Sequence, residues 1–145
     1  MTVLKILKYP DDRLRNISKP VEKINKKIKN IINNMIETMY QAHGIGLAAP
    51  QVNVHLRIIV VDIVQNYKPI ILINPEKIHS NNFINTEEGC LSIPGITKNV
   101  TRSREITIQA LNYHGETIHI TANTLLSVCI QHELDHLVGR LIIDY

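Results

Sequence analysis

The run His132-Glu133-Leu134-Asp135-His136 carries the clearest chemistry in this chain. Two histidines four residues apart on a helix stand one above the other on a single face. Their imidazoles can then bind one divalent metal, and Glu133 lies within reach of a water on that metal. Such a metal pulls the pKa of its water towards roughly 7, which makes a nucleophile available at neutral pH. Glu133 would take the proton and pass it to a leaving group. The spacing therefore suggests a hydrolase. The competing reading is two surface histidines that happen to be four apart, and the added glutamate and the clean helix stop that follows weigh against it.

A catalytic site of this type needs a third protein ligand and an open fourth position. After His136 only residues 137–145 remain, with Asp144 as their one carboxylate and no histidine or cysteine. The third ligand is therefore expected upstream or elsewhere in the fold. The two cysteines, Cys90 and Cys129, are the thiol candidates. Cys129 shares a face with His132 but lies about 10 Å along a helix axis from His136, too far for one ion to take both. It reads better as a small core residue. Cys90 sits in Glu88-Gly89-Cys90-Leu91-Ser92, where the glycine lets the backbone approach a ligand or another strand. It is the better candidate ligand, with an inert thiol as the alternative.

A third segment, Gly44-Ile45-Gly46-Leu47-Ala48-Ala49-Pro50-Gln51, offers a tight backbone path free of bulky side chains. That suits close approach of an extended substrate, or else it is an ordinary loop ending a helix. The phosphate-cradle reading is weak because no Lys-Ser/Thr pair follows. Gln51 has the chemistry to donate a hydrogen bond to a developing oxyanion, although spacing alone does not place it there.

The elements that must position these residues follow from hydrophobic periodicity. Residues 21–43 carry Ile24, Ile28, Ile31, Ile32, Met35, Ile36 and Met39 at three- and four-residue steps, which predicts an amphipathic helix. Pro20 and Gly44 are expected to punctuate its two ends. Residues 57–64 are rich in β-branched side chains and predict a strand, and 70–73 a shorter one stopped by Asn74-Pro75. Residues 105–111 and 116–121 alternate around Asn112-Tyr113-His114-Gly115 and predict a hairpin. Residues 124–138 predict the helix that carries the histidines, with Gly139 as its C-cap. Helix, strands, then helix implies an α+β domain in which antiparallel sheets pack around a central metal-binding helix, preceded by an N-terminal helix.

Length and composition bound the rest. The 145 residues, 1–145, fit one catalytic domain with a real core. No apolar run approaches the roughly 18 residues of a membrane span, and the N-terminus lacks the layout of a signal peptide. A cytoplasmic protein with two free thiols is expected. The net charge of +3 is mild. Its basic cluster over residues 19–29 reads as a solvated helix face rather than a nucleic-acid patch, since no aromatic or arginine cluster accompanies it.

The three motifs, taken together and in this order, resemble those of the peptide deformylase family, over nearly the whole chain. The resemblance implies removal of the formyl group from the formyl-methionine terminus of new polypeptides, with release of formate. It implies Cys90, His132 and His136 as metal ligands, with Fe²⁺ the common metal and Zn²⁺, Ni²⁺ or Co²⁺ able to occupy the site. It gives Glu133 the proton shuttle, and Gln51 with the Leu91 backbone N–H the oxyanion. Ile45, Gly46 and Gly89 would pair with the peptide backbone, and Leu125, Val128 and Cys129 would line part of the methionine pocket. The expected partners are formyl-methionyl nascent peptides and, transiently, the ribosome. No membrane or sequence-specific nucleic acid is expected, and the chain is expected to act as a monomer.

Two departures stand out. Thr86 is polar where an apolar residue beside the pocket is expected. Bacterial members of the family usually continue past the equivalents of Asp144-Tyr145 with a further helix, and catalysis is expected not to need it because no matched motif lies beyond. Two readings compete with the deformylase. A metallopeptidase would use the same helix but lacks a downstream ligand. A binding module with a structural metal would have no use for Glu133 as acid/base.

Overall fold

The computed structural model describes residues 2–145. Five antiparallel strands form one sheet in sequence order: β1 (Gly46–Ala48), β2 (Ile58–Val61), β3 (Ile70–Cys90), β4 (Ile93–Leu111) and β5 (Thr117–Asn123). Helix α1 (Lys26–Gln41) packs on β1 and β2, and helix α2 (Thr124–Leu137) packs against β1, β2, β4 and β5. The α+β expectation holds, with the histidine-bearing helix set against the sheet.

The residues of β2 explain this layering. All four, Ile-Ile-Val-Val, are fully buried. Successive side chains of a strand point to opposite faces, so an unbroken apolar run needs cover on both. Ile58 and Val60 join Ile28, Ile32, Met35 and Met39 of α1, whereas Ile59 and Val61 join Cys129, Ile130 and Leu137 of α2. Helix α2 thus lies in the core on the face that β4 and β5 complete with Ile106, Ile108 and Ala122.

Helix α1 begins later than residue 21. Asn25 is its N-cap, its side chain accepting from the Ile28 N–H at 3.0 Å. The preceding residues are tied elsewhere: Lys19 bridges Leu56, and the Val21 N–H donates to Asn74 Oδ1 at 2.7 Å. Pro20 therefore lies outside the helix. Strand β3 does not stop at Asn74-Pro75. Asn74 adopts a φ of 52° and the register slips between Ile73 and Glu76, so Pro75 sits in a bulge where no ladder N–H is needed. The strand then runs on through mostly polar residues to Cys90, which pairs with Ile93 across a two-residue turn. The segment over 44–51 is not simply a loop: it contains β1, then a 3-10 turn at Ala49–Val52 that includes Gln51.

The hairpin between β4 and β5 forms as expected, with Leu111 opposite Thr117 and Asn112 Oδ1 accepting from the N–H groups of His114 and Glu116. Among the described residues no helix is long and apolar enough to cross a membrane.

Gly139 ends α2 at a φ of +76°. A Cβ there would overlap the carbonyl of Arg15, the last residue of the 3-10 turn Asp12–Arg15. Gly139→Ala combines a left-handed side-chain penalty with that overlap and is expected to cost about 2 kcal/mol or more. Denaturant titration checks this, and an unchanged midpoint would contradict the cap.

Candidate active site

Cys90 arrives from the end of β3, and His132 and His136 from successive turns of α2. One ligand atom from each of the three lies within 4.8 Å of the others. Cys90 Sγ is 3.4 Å from His136 Nε2, and the two imidazole centroids are 5.1 Å apart. His136 is 1% exposed and therefore deep beneath the surface.

The cleft beside this cluster has a volume of about 750 Å³. Its walls include Ile45, Gly46, Gln51, Gly89, Cys90, Leu91, Leu125, Val128, Cys129, His132 and Glu133. All the site residues singled out in the sequence are thus gathered around one opening, with His136 buried behind Cys90. Gln51 is held at both ends of its amide. Its Oε1 accepts from the Ala48 N–H at 2.9 Å, and its Nε2 donates to Ser92 Oγ at 3.2 Å while standing 3.7 Å from Cys90 Sγ. Gly46 is required by close approach: a Cβ there would come within 2.6 Å of Glu133 Oε2 and 2.8 Å of Cys129 Sγ.

Several residues that matter were not evident from sequence. In the sequence Glu88 stands out only as a neighbour of Cys90. Its carboxylate is buried and accepts from four donors: His132 Nδ1 at 3.1 Å and Arg102 Nη2 at 2.7 Å on Oε1, Arg102 Nε at 2.9 Å and Thr86 Oγ1 at 2.7 Å on Oε2. Arg102 on β4 also donates to Asp135 Oδ2 at 2.7 Å and to the Tyr145 hydroxyl at 3.0 Å. The alternation of a strand puts residues 86, 88 and 90 on one face, a signal that could have exposed Glu88. Arg102 gives no such signal, being distant in sequence from everything it touches.

Burial and charge set the protonation preferences. Burial pushes the Glu133 carboxyl up to about 7, against the opposing pull of His132 and Arg102. Burial works to lower His132, but the Glu133 charge and the hydrogen bonds to Cys90 and Glu88 outweigh it and hold the ring up at about 10. His136 goes the other way, well below the usual range, through burial and then the positive charges of His132 and Arg102. Burial also raises Glu88, yet its bonds from Arg102, His132 and Thr86 win and leave it ionised down to about 2. The Cys129 thiol is pushed well up by burial, so it stays neutral and packs as a core residue.

Two buried polar atoms at this site, Glu133 Oε1 and His136 Nδ1, have no hydrogen-bond partner among the described residues. Such orphans are rare in folded proteins and mark functional positions. The cluster provides a soft sulfur, two imidazoles, a buried carboxyl and an accessible cleft, a set suited to metal-assisted hydrolysis.

Comparison with known proteins agrees with this geometry. Residues 3–145 match the family described as "Polypeptide deformylase". Peptide deformylases of Buchnera aphidicola (from Schizaphis graminum) and Hamiltonella defensa are 58% and 54% identical, aligning with 100% of this chain and with 87% and 85% of their own lengths. Among solved structures, a peptide deformylase from Legionella pneumophila superposes with a TM-score of 0.96 at 46% identity, covering 99% of this chain and 85% of that one. One from Synechococcus elongatus, in complex with actinonin, gives 0.94 at 38% identity, with 97% and 79% covered. A match over almost the whole sequence, and relatives that align with all of it, establish that this chain belongs to the polypeptide deformylase family.

Proposed function

We propose that this cleft removes the N-formyl group from the formyl-methionine terminus of newly made polypeptides, releasing formate, with residues 1–145 as a single catalytic unit. The observation that carries the reading is the meeting of Cys90, His132 and His136 beside an open cleft with a buried, unpartnered carboxyl next to them.

The residues fit a divalent cation. Ligands of a tetrahedral site at usual Zn–S and Zn–N lengths stand about 3.6 Å apart, and Cys90 Sγ and His136 Nε2 are separated by 3.4 Å. Three protein donors leave one position for substrate or water, the pattern of a catalytic rather than a structural site. His132 gives its Nδ1–H to Glu88, which fixes the tautomer and leaves Nε2 to the cation. The soft sulfur suits Fe²⁺, with Zn²⁺, Ni²⁺ and Co²⁺ as alternatives. When bound, the cation supplies Lewis acidity that makes water nucleophilic near neutral pH and polarises the formyl oxygen.

The chain's own groups do the rest. Glu133 takes a proton as water adds to the formyl carbon and gives it to the amine as the carbon–nitrogen bond breaks; formate leaves. Gln51, anchored through Ala48, and the Leu91 N–H steady the developing oxyanion. Strand β1 is an edge of the sheet, so Ile45 and Gly46, with Gly89 across the cleft, can pair with the peptide as an added strand. Leu125, Val128 and Cys129 give the methionine side chain an apolar wall. For such a substrate we propose a cytoplasmic site of action and transient contact with the ribosome, and for the chain a monomeric state.

Glu133→Gln keeps the shape and removes the base. Formate release from formyl-Met-Ala-Ser is expected to fall by about 10²–10⁴-fold, while the metal content measured by elemental analysis stays unchanged. Unchanged turnover would take Glu133 out of this role. Gly46→Ala forces its new methyl onto Glu133 and is expected to lower kcat by about 10²-fold, read in the same assay. Protein purified without oxygen is expected to carry iron, to lose activity to a chelator and to regain it with Fe²⁺. Air should inactivate it by oxidation at Cys90. Zinc alone, with full activity in air, would sink the iron assignment.

A further inference from the structure

Thr86 is the polar departure in the cleft wall, and the structure gives it a partner. Residues 86 and 88 lie on the same face of β3, and Thr86 Oγ1 is 2.7 Å from Glu88 Oε2. The hydroxyl also comes within 3.2 Å of the Val100 carbonyl. It has one proton to give, and the shorter, charge-assisted bond to the carboxylate is the stronger. An ionised carboxylate offers about four acceptor sites. On Glu88, His132 and Arg102 fill three of them, and Thr86 completes the set. An apolar side chain at position 86 would leave Oε2 with a single donor in a buried setting.

We propose that Thr86 is a positioning residue for His132: its hydroxyl fixes the rotation of the Glu88 carboxylate, and Glu88 in turn fixes the His132 ring that holds the metal. The same side chain forms part of the cleft wall, so one residue joins the substrate's surroundings to the metal's. The inference rests on the reading of Cys90, His132 and His136 as ligands, and it concerns how firmly those ligands are held. Carboxylates behind a ligating histidine typically change metal affinity or activity by about 10–100-fold when lost. Thr86 stands one bond further out, so its effect belongs at the lower end of that span.

The test uses the full chain loaded with Co²⁺, whose thiolate absorption reports the Cys90 bond. Four proteins are compared: the parent, Thr86→Val, Thr86→Ala and Thr86→Ser. The rate of Co²⁺ loss to excess chelator is measured together with kcat and KM for formyl-Met-Ala-Ser. Thr86→Val keeps the shape without the hydroxyl, and Thr86→Ala guards against misfolding caused by valine itself. Both are expected to release Co²⁺ about ten-fold faster and to lose kcat. Thr86→Ser keeps the hydroxyl and is expected to hold Co²⁺ like the parent, with any change confined to KM. The proposal is overturned if Thr86→Val and Thr86→Ala hold Co²⁺ as firmly as the parent, or if Thr86→Ser loses it as fast as they do. A parent protein that takes up Co²⁺ without a thiolate band would fail the ligand assignment instead, a separate and visible result.

Discussion

A buried arginine organises the functional end of this protein. Arg102 is nearly inaccessible, and a charge taken out of water is tolerated only when paired and hydrogen-bonded. Its guanidinium holds Glu88 on β3 through two nitrogens, Asp135 on α2 through a third, and the Tyr145 hydroxyl through the same Nη1. The Tyr145 hydroxyl donates in turn to Asp135 at 2.6 Å. One guanidinium therefore fixes the distance between two strands and the histidine-bearing helix. Removing one partner from such a buried cluster typically costs about 3–5 kcal/mol, so the spacing between Cys90 and the histidines is strongly determined.

The apolar layers supply what this cluster cannot. Helix α2 could slide or rotate about Arg102 unless its other contacts held it, and Ile130 and Leu137 anchor it in the layer formed with Ile59, Leu72, Ile106 and Ile108. Between these anchors the helix turns His132, Glu133 and His136 towards β1 and the end of β3. At Gly46 sheet and helix approach closely, with Cys129 and Glu133 against its backbone. The edge strand β1 and the Glu133 carboxyl are thus neighbours because Gly46 has no side chain.

The chemistry was more legible in the sequence than the architecture. The histidine helix, its glycine cap and the β4–β5 hairpin follow from local signals: a four-residue spacing, a left-handed stop and an Asn-to-Gly turn. The missing downstream ligand already favoured Cys90, although only the fold brings its Sγ to 3.4 Å from His136. What local signals could not show is non-local. Strand β3 beyond Asn74 is polar and owes its extension to pairing with β4, not to its own periodicity. Helix α1 loses its first turn because Val21 is held by Asn74, far along the chain. Arg102 looks like any charged strand residue until three elements close around it.

The distribution of satisfied and unsatisfied groups separates the site into two parts with different physics. Around Glu88 every acceptor position is filled, and a saturated buried carboxylate has no low-energy rotation open to it. One step away, Glu133 Oε1 and His136 Nδ1 are buried with no hydrogen-bond partner among the described residues. A buried carboxyl oxygen beside a thiol and two imidazoles is open to a group that enters the cleft. Filled hydrogen bonds around Glu88 hold the His132 ring in place, while Glu133 keeps a carboxyl oxygen that no described side chain engages.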